Sequence, residues 1–166
     1  NVMAFTAASK TFNLAGLPNS FAILPDPEMR NQFDAFCESI RAPSSTEVAC
    51  YAVEAAYRHG EPWLNSIRQQ VRRNFELVRD ILKEKAPKTI VTDLEGTYLM
   101  WIDLRAYVNT KESTENLVQK TCRIAVDYGD WFGGEAYEGF IRLNLATSEE
   151  NCVAAANRLG DALAAL

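Results

Sequence analysis

Histidine is almost absent from this chain: His59 stands alone. With no second imidazole, and with four cysteines that form no CxxC pair, a zinc centre is not expected. Cys37, Cys50, Cys122 and Cys152 lie far apart, and three of them sit among apolar residues at helical spacing. Buried thiols in a reducing, cytoplasmic compartment are expected rather than disulfides. No apolar run approaches the roughly 20 residues that span a bilayer. The first residues also lack the basic-then-apolar pattern of a signal peptide. An excess of positive charge is missing too. The formal net charge is −5, and Arg68, Arg72, Arg73 and Arg79 are interleaved with Glu76, Asp80 and Glu84. That pattern describes a solvated helix face and argues against nucleic acid as a main partner.

What is present is a globular composition. The 166 residues are 48% hydrophobic and 23% charged, enough for a real core. The chain opens at Asn1 rather than methionine, as expected of a fragment or a processed product.

The pattern along the chain mixes strands and helices. Val2 to Ala8 and Ser20 to Leu24 read as short strands, joined through the turn formers Gly16, Pro18 and Asn19. Asp26-Pro27 opens a helix with apolar Met29, Phe33, Phe36, Cys37 and Ile40 on one face. Ser44-Ser45-Thr46-Glu47 reads as a capping box for a second helix that stops at Gly60. Val48, Tyr51, Ala52 and Ala55 mark its expected buried side. Pro62 opens the longest helix, to about Lys85, with Leu64, Ile67, Val71, Phe75, Val78 and Leu82 at three- and four-residue steps.

Beyond Pro87 the pattern changes to a hairpin, Thr89–Leu94 and Thr97–Leu104, around Glu95-Gly96. Ser113 is expected to cap a helix, and Ile124–Tyr128 to form a short strand. Residues 129–139 are expected to form a loop, and Phe140–Leu145 a strand. Ser148 opens a final helix with Val153, Ala156, Leu159 and Leu163 inward. The division between domains is expected within the long helix, giving segments 1–60 and 61–166.

Two segments carry chemistry. The first is Ser9-Lys10-Thr11-Phe12-Asn13-Leu14-Ala15-Gly16-Leu17. A lysine forms an imine only as the neutral amine, and an apolar setting favours that form. Phe5, Phe12 and Leu14 are the residues expected to supply it. Ser9 and, more weakly, Thr6 offer hydroxyl donors of the kind a phosphate needs. The alternative is a surface lysine at a strand end. The second segment is Gly139-Phe140-Ile141-Arg142-Leu143-Asn144-Leu145-Ala146. An arginine amid alternating apolar residues needs a carboxylate partner, which its planar fork can bind through two hydrogen bonds. That partner is either a substrate or a local acid such as Glu135 or Glu138. Trp131-Phe132-Gly133-Gly134 precedes this arginine, while Trp101 and Tyr98 read as core residues of the hairpin.

The two segments, in this order and with the long helix between them, resemble the C-terminal part of fold type I pyridoxal-phosphate enzymes. These belong to the class I/II aminotransferase superfamily. Within it, the chain is most similar to the MalY/PatB, cystathionine β-lyase-like branch, and the resemblance covers essentially the whole chain. It implies an α/β fold with an α+β tail: the end of the cofactor-binding large domain, a connecting helix, and a small domain whose sheet is covered by helices. It implies pyridoxal 5'-phosphate as cofactor, Lys10 as the catalytic aldehyde-binding lysine and Ser9 as a phosphate contact. Arg142 is implied as the anchor of the substrate α-carboxylate, and Trp131–Gly134 resembles the family's loop near the substrate entrance, with an ordinary packed turn as the alternative.

Many aminotransferases carry a phosphate-binding arginine eight residues after the lysine. Here that place is Pro18, a departure that favours the lyase-like branch. The implied substrate is an amino acid, the implied reaction β-elimination or transamination, and the implied assembly a homodimer of the full-length protein, with no membrane attachment. In the family, other pocket residues lie upstream of the lysine, so the isolated segment is expected to be inactive. A non-catalytic, aminotransferase-like regulatory or dimerisation domain is the remaining alternative.

Overall fold

A computed structural model of the chain describes residues 2–166. It divides into two compact units, one ending at Ser66 and the other spanning Ile67–Leu166, with the boundary inside one long helix.

In the first unit, strands β1 (Ala4–Thr6) and β2 (Phe21–Ile23) pair antiparallel, with Thr6 opposite Phe21. The pair is shorter than the sequence pattern suggests, but the return is the expected one. Between the strands the chain coils through consecutive turns, held by Phe12 N–H to the Ala8 carbonyl (3.0 Å) and Leu14 N–H to the Ser9 carbonyl (2.9 Å). Helix α1 (Pro27–Ser39) starts where its signals place it, with the Asp26 carboxylate accepting from Met29 N–H at 2.9 Å. Helix α2 (Glu47–His59) departs from expectation at its start. Thr46 Oγ1, not Ser44, accepts from Ala49 N–H at 3.3 Å, and Glu47 becomes the first helical residue. Thr46 offers the same capping chemistry two residues later, and Glu47 then sets its charge on the helix N-terminus.

The expected buried side of α2 is also rotated. Ala49 and Val53 are buried, whereas Val48 and Tyr51 remain 65% and 71% exposed. Helix α1 buries none of its apolar face fully; Phe36 and Ile40 stand exposed. Periodicity reports a stripe on a helix but not what lies against it. Among the described residues up to Ser66, the buried apolar side chains are Ala8, Leu24, Ala49 and Val53, a small core.

Helix α3 (Glu61–Lys85) runs as expected. From Val71 onward its apolar stripe (Val71, Phe75, Val78, Leu82) belongs to the core of the second unit. There, β3 (Ile90–Val91), β4 (Leu99–Asp103), β5 (Asp127–Tyr128) and β6 (Phe140–Asn144) form an antiparallel sheet in the order β3-β4-β6-β5. Strand alternation sends Met100, Ile102, Ile141 and Leu143 into the core. Helix α6 (Glu149–Ala164), capped by Ser148, adds Ala156, Leu159 and Leu163. Each of the leucine, isoleucine and methionine side chains contributes about 1.5–3 kcal/mol when fully buried, and most of the buried apolar side chains among the described residues lie in this unit.

Three local features differ from the sequence pattern. Helix α4 (Lys111–Glu115) is capped by Thr110, not Ser113. Ser113 stands three residues inside and returns the bond: Ser113 N–H reaches Thr110 Oγ1, and Thr110 N–H reaches Ser113 Oγ, both at 3.2 Å. The helix then widens into a π-helical stretch, Asn116–Thr121. The expected 129–139 loop contains a helical turn, α5 (Asp130–Gly133), and a 3₁₀ turn, Gly134–Tyr137. It ends at Gly139, whose φ of +80° and whose close approach to the Val108 carbonyl both exclude a side chain. All four cysteines are free; Cys122 and Cys152 are buried, Cys37 is half-buried, and Cys50 is exposed.

Candidate functional site

Lys10 lies in the first turn after β1 and is exposed, and no salt bridge engages its amine among the described residues. Ser9 beside it is half-buried, and Thr6 is exposed on β1. The apolar setting expected from Phe5, Phe12 and Leu14 is not assembled around the lysine by this chain. Phe12 instead packs on Tyr57 and Trp63, with ring centroids 5.7 and 6.2 Å away, and Phe5 leans on Phe33 at 5.8 Å. The donor set nevertheless fits a phosphorylated aldehyde: an uncommitted primary amine follows a hydroxyl in a tightly wound turn. At position 18, exposed Pro18 offers neither a guanidinium nor an N–H.

Arg142 belongs to the second unit. It sits on β6, directly opposite Trp101 of β4 on one side and Asp127 of β5 on the other. The three therefore share the sheet face that turns away from the core. Arg142 Nε and Nη2 both donate to Asp127 Oδ2, at 3.0 and 2.7 Å. The Phe132 ring covers the guanidinium, its centroid 4.3 Å from Cζ. Neither Glu135 nor Glu138 is the partner; Glu138 accepts from the Lys111 N–H instead, at 3.0 Å. Asp127 could have been found from sequence only by knowing that β5 and β6 pair in this register.

Around the arginine stands an aromatic cluster. Trp101 stacks on Phe140 at 5.7 Å and meets the edges of Phe132 and Tyr137 at 5.9 and 6.2 Å. Trp101 is thus a half-buried wall of this face rather than a core residue. The cluster is tied at two points. Lys111 Nζ bridges to Asp130 at 3.1 Å, and the Asp130 carboxylate holds the lysine pKa above its usual value. Arg105 clasps the buried Asp103 through Nε and Nη2 while covering the Phe140 ring at 4.4 Å. Its hydrogen bonds keep the Asp103 carboxyl below the ordinary aspartate range, against the opposing effect of burial.

The structure thus sets Lys10 in a turn and Arg142 on a strand; comparison with known proteins gives the family. The sequence model of the family described as aminotransferase class I and II matches residues 1–159. The chain belongs to that family. It is 32% identical over 142 residues to the cystathionine beta-lyase PatB of Bacillus subtilis, which covers 86% of this chain and 36% of PatB. Among solved structures it is similar to cystalysin from Treponema denticola, which contains a pyridoxal 5'-phosphate cofactor, with a TM-score of 0.90 and 32% identity. It also resembles the pyridoxal-phosphate-bound C-S lyase of Staphylococcus hominis, with a TM-score of 0.84 and 27% identity. Each covers 97% of this chain, which spans 41% and 39% of their respective lengths. The mixed helix-and-sheet fold is that of the C-terminal part of these enzymes. No helix among the described residues is long and apolar enough to cross a membrane.

Proposed function

We propose that this segment is the C-terminal part of a pyridoxal-phosphate-dependent enzyme acting on amino acids, with α,β-elimination at a carbon–sulfur bond as its reaction. The observation that carries the reading is the run of C-S lyases among the proteins this chain is similar to, in sequence and in fold. Residues 1–60 are read as the end of a cofactor-binding domain, and 61–166 as the connecting helix with a small C-terminal domain. When bound, pyridoxal phosphate supplies an aldehyde that captures amines and a ring that takes up electrons.

The residues of this chain take defined tasks. Lys10 Nζ would hold the cofactor by its aldehyde and is the atom that would accept the substrate α-proton. Ser9 Oγ donates to the phosphate. Arg142 binds the α-carboxylate and so fixes which bond to the α-carbon faces the reacting group. Loss of a β-thiolate from the substrate, which takes up a proton, gives a thiol, and hydrolysis of the remaining enamine by one water gives ammonia and pyruvate. Transamination is the second reading, supported by the breadth of the family matched at residues 1–159. A homodimer of the full-length protein in a reducing, cytoplasmic compartment completes the proposal, in keeping with the free state of all four cysteines.

The test is borohydride reduction of the full-length protein loaded with pyridoxal phosphate, followed by peptide mapping, together with assay of a cysteine thioether. A reduced adduct confined to Lys10, and thiol and pyruvate release abolished by Lys10→Ala, are the expected results. An adduct on another lysine overturns the assignment of Lys10. Amino-group transfer without thiol release decides for the transaminase.

A further inference from the structure

A guanidinium offers two edges to a carboxylate: the side edge formed by Nε with one Nη, and the end edge formed by the two Nη groups. In this structure the side edge of Arg142 is already taken. Asp127 Oδ2 accepts from both Nε and Nη2, and the two residues face each other in register across β5 and β6. Phe132 closes one flat side of the group. What remains without a protein partner among the described residues is Nη1 together with the second hydrogen of Nη2. The pair is not sealed in the core, since the side chains of Arg142 and Asp127 are 30% and 41% exposed.

We propose that Asp127 is a positioning residue for substrate recognition. By occupying the side edge of Arg142 it presents the end edge alone, so an incoming α-carboxylate is received through Nη1 and Nη2. This rests on the reading of Arg142 as the carboxylate anchor. An Asp127 that merely competed for the arginine would act the other way, because its removal would tighten substrate binding. The position calls for an acceptor oxygen, and the amide oxygen of asparagine supplies one without the charge.

The experiment uses the full-length, cofactor-loaded enzyme and two ligands: a cysteine thioether substrate, and the corresponding amine that lacks the carboxylate, measured as an inhibitor. Loss of charged hydrogen bonds that orient the anchor corresponds to about a tenfold change. Asp127→Ala is therefore expected to raise KM for the amino acid about tenfold, with kcat changed less than about twofold. The affinity for the amine should be unchanged, and Asp127→Asn should restore KM. A fall in KM in Asp127→Ala overturns the proposal in favour of competition. Equal weakening of both ligands, or an Asp127→Asn variant as poor as Asp127→Ala, overturns it in favour of a structural role. Arg142→Ala separates the two levels. If it erases the preference for amino acid over amine while Asp127→Ala does nothing, the positioning idea fails alone. If Arg142→Ala leaves that preference intact, the carboxylate anchor lies elsewhere and both readings fail.

Discussion

Phe12 fills the space that a side chain at Gly60 would need. A Cβ at Gly60 would lie 2.7 Å from the Phe12 ring and 2.4 Å from the Ala56 carbonyl oxygen. The φ of Gly60 is −82°, so the backbone conformation itself does not call for glycine. The close approach of the Ala56 carbonyl and of the Phe12 ring does, and the ring contact ties the Lys10 turn to the junction of α2 and α3.

Gly60→Ala is therefore expected to destabilise the first unit by about 1–3 kcal/mol, the usual cost of overpacking. Urea titration with Trp101 and Trp131 replaced by phenylalanine in both proteins, followed by the fluorescence of Trp63, which stacks near Phe12, reads the change. An unshifted midpoint would mean that the ring and the backbone at Ala56 both yield without cost.

Asn74 gives a second prediction. It is fully buried on α3, and its Nδ2 donates to the carbonyls of Leu145 (2.9 Å) and Thr147 (3.0 Å) just beyond β6. Asn74→Ala leaves the Leu145 carbonyl without its side-chain donor and should cost about 1–3 kcal/mol of stability. Gln70→Ala, which removes only a part-buried bond to the Thr147 carbonyl, serves as the milder control in the same denaturation assay.

Asp103 sets a pH dependence. Arg105 depresses its folded pKa, so the group contributes stability that is fully present above the unfolded value of about 3.9. That contribution is lost as pH falls through the lower folded pKa. The second unit should therefore lose stability below about pH 4, and Asp103→Asn should flatten that part of the thermal-melt profile. An unchanged acid limb in the variant would assign the loss to other carboxylates.

The thiols should react in a fixed order. Burial pushes the Cys122 and Cys152 thiols above their ordinary pKa, whereas Cys50 is exposed. Iodoacetamide at neutral pH should label Cys50 first and Cys37 more slowly. Cys122 and Cys152 should react only on unfolding. Early modification of Cys152, read by mass spectrometry, would show that the start of α6 opens readily.

Much of this architecture is written in local signals. Asp26 and Ser148 cap the helices they announce, and the stripe from Val71 to Leu82 lies where its spacing puts it. Competing signals of equal strength are harder to separate. Thr46 displaces Ser44, and Thr110 displaces Ser113, because any hydroxyl at the entry can accept the same N–H. The stripes of α1 and α2 are legible too, but burial depends on what packs against them, and within this chain Phe36 and Tyr51 meet solvent. The chemistry divides in the same way. The segments around Lys10 and Arg142 can be recognised from neighbouring residues. Asp127, fifteen positions from Arg142, becomes its partner only through strand register.

That partnership has an entropic side. A free arginine side chain carries about 2 kcal/mol of rotamer entropy, much of which a ligand must suppress when it engages the group. With Nε and Nη2 bonded to Asp127 and one flat side against Phe132, much of this freedom is surrendered during folding. Under the proposed role of Arg142, a docking carboxylate would meet a donor already at rest, and its hydrogen bonds would convert into affinity with little loss to ordering.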